Sequence, residues 1–368
     1  MKIPYVDLKK QWAEEKAKLL PIIIKTLSMG TYVIGDEVNK FERNIASICK
    51  RKYAVAFNSG TDALTIGLIL LGVKRGDEVI TPPNSFISST SAIVHIGAIP
   101  VFADVLSDQN IDPIEIEKKI TKKTKAIMPV HLTGRVCKMN EIKKISKKYK
   151  IPIIEDAAQS IGSKYFNQKA GSFGDIGCFS VHPLKNLNAC GDGGFFVTNN
   201  FKFYKKAKIL RNHGLEDRNK VKNFGYISRM DILQASILNY RIKVLNNTIW
   251  KRRNNAKFYF KHIDKKFYKL IEEKRYEHNT YHTFVIQTPK RTKLINFLKS
   301  KGIGTAIHYP IPIHLQEASK SLKYKKGDFP ITEEQSKTIL TIPIHQNLTK
   351  KEMKYIVFNL NKFSNDNR

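Results

Sequence analysis

The sequence predicts an α/β protein, with a mainly parallel central sheet in a large domain and a smaller α/β domain after it. Three observations carry that prediction. From about Tyr53 to Thr198, short apolar runs alternate with helix-length stretches. A helical region follows from Lys202 to about Arg253. The strand and helix pattern then restarts on a smaller scale. Strands joined through helices run parallel, and a parallel sheet is covered on both faces.

The runs YAVAF, DEVIT, IPVFADV, KAIMPVHL, IPIIED, IGCFSV and GGFFVTN read in turn as buried strands. Between several of them lie helical patterns such as TDALTIGLILLG and CKMNEIKKISKKYK. SRMDILQASILNYRIKVL, ending at Leu245, belongs to the helical region. Beyond it HTFVIQT, a helix in TKLINFLKSKG, and TAIHYPI form a compact βαβ-like unit. Thr332 with Gln335 and Thr349 with Glu352 are capping-box signatures that start the last two helices. The expected division is residues 1–245 for the large domain with the N-terminal segment, and 246–368 for the small one.

With 368 residues, 42% hydrophobic and 26% charged, the composition is that of a soluble globular protein with a substantial core. MKIPYVDLKKQWAEEK is charged throughout and does not read as a signal peptide. The longest apolar runs are too short to span a bilayer, so a cytoplasmic protein without a membrane partner is expected. Cys49, Cys137, Cys178 and Cys190 show neither Cys-x-x-Cys spacing nor a zinc pattern, so no metal is expected and the thiols read as reduced. The net charge of +32 is spread over runs such as KKITKKTK, IKKISKKYK, KFYKKAK and SLKYKKG. Charge this diffuse argues against specific nucleic-acid binding and favours an anionic small substrate.

Ligands of such sheets gather beyond the carboxyl ends of the strands. IPIIED ends there on Asp156, and Lys185 follows IGCFSV in the run CFSVHPLKNLNACGDGG, beside a glycine-dense turn. The amine of Lys185 can form a Schiff base with an aldehyde cofactor, and a carboxylate can sit opposite that cofactor's ring nitrogen. This pair is what pyridoxal phosphate chemistry requires of a protein. Other readings stay open for the single pieces. NSGTDAL, after YAVAF, is either a plain N-cap by Ser59 or Thr61 or an anion cradle at a helix start. Asp156 either caps a helix or pairs with a pyridine nitrogen. Gln159 can reach the ring oxygen of the cofactor. Phe86, after DEVIT, is either core or a stacking partner for the ring. Ser180 can reach a phosphate, and His182 is either a wall residue or a hydrogen-bond partner.

The ordered set G-x-Y-x-x-G (Gly30 to Gly35), NSGTDAL, NSFISS, PVHLTG, EDAAQSIG, FSVHPLKN, GDGG, SRMDILQA and IHYPIPIH resembles the DegT/StrS family of sugar aminotransferases over almost the whole chain. The resemblance implies the fold type I architecture of pyridoxal-phosphate-dependent transferases and a homodimer with active sites between subunits. It implies transfer of an amino group, usually from glutamate, to a keto group of a nucleotide-linked sugar, for cell-surface polysaccharide or glycoconjugate biosynthesis. Carried over by position, it makes Lys185 the Schiff-base lysine and Asp156 the pyridinium partner. Gln159 then meets the ring oxygen, Phe86 stacks on the ring, and Gly60, Thr61 and Ser180 hold the phosphate. Tyr32 lies in a segment that forms part of the substrate wall. His308, Tyr309 and His314 resemble the segment of members acting at C3 of a 3-keto sugar.

The chain departs from the family pattern at one point. Many members carry an asparagine that reaches the partner's phosphate from G-x-N-S-R-L-D, whereas GYISRMD places Ile227 there, which has no side-chain donor. The alternative activities are amination at C4, amination of a cyclitol, dehydration and a non-catalytic regulatory role. Dehydratases of this fold place histidine where the chain has Lys185, and the intact Lys185–Asp156 pair argues against a dead site.

Overall fold

The computed structural model describes residues 1–367. Its main sheet contains β1 (Tyr53–Phe57), β2 (Glu78–Thr81), β3 (Ile99–Phe102), β4 (Thr124–Ile127), β5 (Ile154–Asp156), β6 (Ile176–Ser180) and β7 (Gly194–Thr198). β3, β2 and β4 pair in parallel, as do β5 and β6. Parallel bridges Ile127–Ile153 and Val130–Asp156 link β4 to β5. The order across the sheet is therefore β3-β2-β4-β5-β6-β7-β1. β7 is the exception to the parallel rule, running antiparallel to both β6 and β1. This follows from connectivity, since the loop of 181–193 contains no helix that could carry the chain back across the sheet. As a result β7 begins at the edge where the other strands end, with Gly194 opposite both Ser180 and Phe57.

Helices cover both faces. The helix Gly60–Leu70 contains seven buried residues, among them Leu64, Ile66 and Leu68, and lies against β6 and β7. On the other face Asp36–Ile48 presents Val38, Phe41 and Ile45 to the core, spaced for one helical stripe. Alternation along β5 separates its last two residues. Glu155 is fully buried, meets His131 Nε2 at 2.9 Å, and accepts 2.7 Å bonds from the N–H groups of Gly171, Phe173 and Gly174. Asp156 is thereby left to face the other way.

The helical region is not continuous. Phe201–Leu210 is followed by an irregular stretch, and a 31-residue helix then runs from Ile232 to His262. The expected boundary at residue 245 falls inside that helix. Leu245 and Ile249 pack in the core of the main sheet, whereas Ala256 and Tyr259 pack with Phe284, Leu340 and Leu360 in a separate core. Ile3 belongs to this second core and pairs in parallel with Ile303.

In the C-terminal region Phe284–Gln287 pairs antiparallel with Ile339–Ile342, and TAIHYPI contributes only a bridge from Ala306 to Thr341. Pro310 within it and Pro312 just after it remove ladder donors and keep the segment irregular. The capping box at Thr349 and Glu352 is formed. The one at Thr332 is not: Pro330 starts that helix earlier, and the Thr332 hydroxyl donates instead to Asp104 at 2.8 Å. No helix among the described residues is long and apolar enough to cross a membrane.

Candidate active site

A cavity of about 400 Å³ opens at the carboxyl edge of the sheet, within the size range of small-ligand sites. Its floor is built from strand ends. Asp156 closes β5, Ser180 closes β6, Gly193 precedes β7, and the Ser59–Thr61 turn follows β1. No group of three or more His, Cys, Asp or Glu able to hold a metal occurs among the described residues.

One end of the cavity is a helix start. Ser59 is extended (φ −154°), and its Oγ accepts from the Asp62 N–H at 3.0 Å, so it is the N-cap. The cap and the anion cradle are therefore compatible readings of one turn. The first N–H groups of a helix lack partners inside it and carry the positive end of its dipole. A Cβ added to Gly60 would lie 2.8 Å from Ser180 Cβ, and one added to Gly194 would lie 2.4 Å from the Gly60 nitrogen. Glycine at both positions lets the helix start close against the ends of β6 and β7.

Lys185 sits in the loop after β6, its N–H bonded to His182 O at 2.8 Å. Asn186 Nδ2 ties this loop to Thr280 O at 3.0 Å. The residue as a whole is partly covered, while its amine lies deep, and burial brings its pKa down to about 8 against the opposing pull of the Asp156 carboxylate. Asp156 is buried, accepting from Ser89 Oγ at 2.7 Å and from the Ala158 N–H at 3.1 Å. Gln159 Oε1 accepts from the Thr133 N–H at 2.8 Å, and its Nε2 lies 3.4 Å from Tyr309 Oη. Phe86 lines the cavity with 55% of its surface exposed, 5.9 Å from the Tyr309 ring. An aromatic face this open at a cavity wall is available to a flat ligand.

His308 also lines the cavity, its Nδ1 2.9 Å from Thr341 Oγ1, and burial lowers its pKa to about 4. Nine of the residues expected at the site therefore meet in one cavity: Lys185, Asp156, Gly60, Thr61, Phe86, Gln159, Ser180, His308 and Tyr309. Two do not. His314 points into a cluster with Phe102, Ile313 and Phe329, and its Nε2 meets Glu333 at 3.1 Å. The short turn Ile313–Leu315 directs its ring away from the cavity, so it serves packing. Tyr32 is 54% exposed outside the cavity of its own chain.

Sequence reasoning missed two residues. Ser89, which holds Asp156, sits in the first turn of the helix Ile87–His95, visible in sequence only as one of several hydroxyls in NSFISST. His282 enters from the C-terminal region, lines the cavity and has an enclosed Nδ1 without a partner. Burial first, then Lys185 and Arg252, push its pKa well down. The bond from Arg252 to the His282 carbonyl fixes its backbone.

A profile of the DegT/DnrJ/EryC1/StrS aminotransferase family matches residues 13–361. The chain is 36% identical over 367 residues to a pleiotropic regulatory protein of Geobacillus stearothermophilus, covering 99% of each. It is 37% identical over 362 residues to a dTDP-3-amino-3,6-dideoxy-alpha-D-galactopyranose transaminase of Aneurinibacillus thermoaerophilus, covering 98% of this chain and 99% of that one. Among solved structures, DesV of S. venezuelae in complex with a ketimine intermediate superposes with a TM-score of 0.96 at 32% identity, covering 99% of this chain and 98% of DesV. The strand-end lysine and carboxylate, the helix-start cradle and these full-length similarities agree: the chain belongs to the DegT/DnrJ/EryC1/StrS family of pyridoxal-phosphate-dependent sugar aminotransferases.

Proposed function

We propose that the protein transfers an amino group, from glutamate, to the C3 keto group of a nucleotide-linked deoxy sugar. The observation that carries this reading is one cavity in which Lys185 and Asp156 face a helix-start anion cradle. The residues fit pyridoxal phosphate. Gly60 and Thr61, with Ser180, would hold its phosphate, Asp156 its ring nitrogen, Gln159 its ring oxygen, and Phe86 would stack on the ring. When bound, the cofactor supplies the electron sink that makes a carbon–hydrogen bond next to nitrogen acidic.

The protein's own contribution is proton handling and orientation. A lysine amine with a pKa near 8 is partly neutral at physiological pH, so it could accept a proton from the donor's Cα and return it to the carbon on the other side of the connecting nitrogen. Asp156, held by two donors, keeps an anion fixed where positive charge must be stabilised. Buried neutral His308 and His282 present imidazole rather than imidazolium to the substrate side.

The C3 assignment is supported by the 3-amino product in the name of the Aneurinibacillus relative and by His308 and Tyr309 in the cavity wall. A homodimer is part of the reading. Phe224 is fully exposed, and Tyr32 and Ile227 are more than half exposed, an apolar set that a second copy would cover. Free cysteines throughout the described residues fit a reducing, cytoplasmic setting. The test is to load the protein with pyridoxamine phosphate and add nucleotide-linked 3-keto and 4-keto sugars separately. Return of the visible absorbance of the lysine-bound cofactor with the 3-keto sugar supports the assignment. Return with only the 4-keto sugar moves it to C4, and a protein that never takes up the cofactor overturns the reading.

A further inference from the structure

We infer that Ser89 is a positioning residue for the reaction, acting through Asp156. The inference rests on the reading of Asp156 as the partner of the cofactor's ring nitrogen. Ser89 is 1% exposed and Asp156 5%, and their side chains meet at 2.7 Å. Both line the cavity. The two residues come from different strand ends. Ser89 lies in the helix Ile87–His95, which follows β2, and Asp156 ends β5. The bond thus ties the loop that carries Phe86 to the strand that carries the carboxylate.

A buried carboxylate facing a pyridine nitrogen shares one proton with it, and the chemistry needs that proton on the ring. Ser89 Oγ–H donates to Asp156 Oδ2 while the Ala158 N–H donates to Oδ1. Each donor binds the carboxylate anion better than the neutral acid. Together they place two donors on the carboxylate oxygens, the arrangement that would pair with a protonated ring nitrogen of the bound cofactor. They also fix the carboxylate's rotation, so that its free lone pairs point along one direction. A hydroxyl can do this because its hydrogen turns to the acceptor; a methyl group at the same place offers nothing.

The test is Ser89→Ala in the holoenzyme, with Ser89→Thr as the conservative variant and Ser89→Cys, of similar size and a weak donor, read in place of Ala should Ala fail to fold. Removing a hydrogen bond to a charged group should lower kcat by about tenfold to a hundredfold, with KM for the amino donor nearly unchanged. The pH midpoint of the absorbance change of the lysine-bound cofactor should rise by about one unit, because a less positive ring lets the linkage nitrogen keep its proton longer. Thr should restore both. Wild-type kcat and midpoint in Ser89→Ala overturn the inference. So does a loss of melting temperature and of cofactor affinity with no midpoint shift, which marks a structural role only. Wild-type protein must form the lysine-bound cofactor, and Lys185→Ala must not; failure of that control sinks the cofactor reading itself, separately from Ser89.

Discussion

Gly194 lies against the backbone of Gly60 so closely that a Cβ on Gly194 would sit 2.4 Å from the Gly60 nitrogen. That nitrogen opens the helix proposed to hold the phosphate, so the first residue of β7 sets how near the cradle comes to Ser180. Gly194→Ala should displace the helix start and weaken pyridoxal phosphate binding about tenfold or more, on the scale of one hydrogen bond to a charged group. Titration of the cofactor-free protein followed by absorbance measures it. An unchanged Kd, with circular dichroism also unchanged, would show that the cradle tolerates the shift.

Lys185 gives a pH signature with a definite sign. Its pKa in the folded protein is about 8, below its ordinary 10.5. Below pH 8 the native and unfolded chains both carry the charge, and the cost of burying it is paid in full. Between about 8 and 10.5 the unfolded chain binds more protons than the native one, so stability rises with pH there. Cofactor-free Lys185→Met should therefore be more stable than wild type at pH 7, by about 2 kcal/mol once partial exposure is allowed for. The difference should close as pH approaches 10.5. Urea midpoints at four pH values would decide; a gap independent of pH contradicts it.

How much of this could be read in the sequence depends on how local each feature is. Asp156, Lys185 and Gly60 were legible because each follows a recognisable strand, and strand ends of one sheet converge on one edge. The antiparallel β7 was not, since GGFFVTN looks the same in either direction; what decides its direction is the lack of a helix in 181–193. Ser89 and His282 reach the site through contacts of 67 residues' separation and across the cores, which no spacing rule reveals. His314 shows the opposite case. Its position beside Tyr309 suggested the site, but a turn of three residues reverses its ring toward Glu333.

Arg135 anchors the edge of the site to the C-terminal part of the chain. It is buried, forms an ion pair with buried Glu277, and donates to the carbonyls of Ile271 and Glu272. Its neighbour Gly134 accepts from the Thr280 N–H, two residues before His282. Arg135→Ala leaves the Glu277 carboxylate buried without its partner, a change that costs about 3–5 kcal/mol in comparable settings. The expected outcome is a lower urea midpoint with kcat of the folded enzyme little changed, because the Arg252 bond to the His282 carbonyl stays in place. Arg135→Ala with Glu277→Gln should recover part of the stability. A double variant no more stable than the single one would mean that the carbonyl contacts, not the ion pair, carry the effect.

Ile227 offers a gain rather than a loss. Its side chain is 63% exposed, yet its backbone is held: Asn58 Nδ2 reaches the Ile227 carbonyl at 3.3 Å, and Ser228 Oγ donates to Asn58 Oδ1 at 3.1 Å. A substitution at the side chain therefore leaves the path of the chain in place. In the proposed dimer the family resemblance would set this side chain toward the partner's phosphate, where isoleucine contributes no donor. Ile227→Asn adds two amide hydrogens there, so pyridoxal phosphate should bind more tightly by about tenfold or more, the scale of one hydrogen bond to a charged acceptor. The measurement is the cofactor Kd of wild type and variant at matched protein concentration, with sedimentation reporting the oligomeric state. Tighter binding in the dimer, absent when the protein is diluted to monomer, places the gain across the interface. Equal Kd values in a dimeric variant would mean that residue 227 does not reach the partner's phosphate.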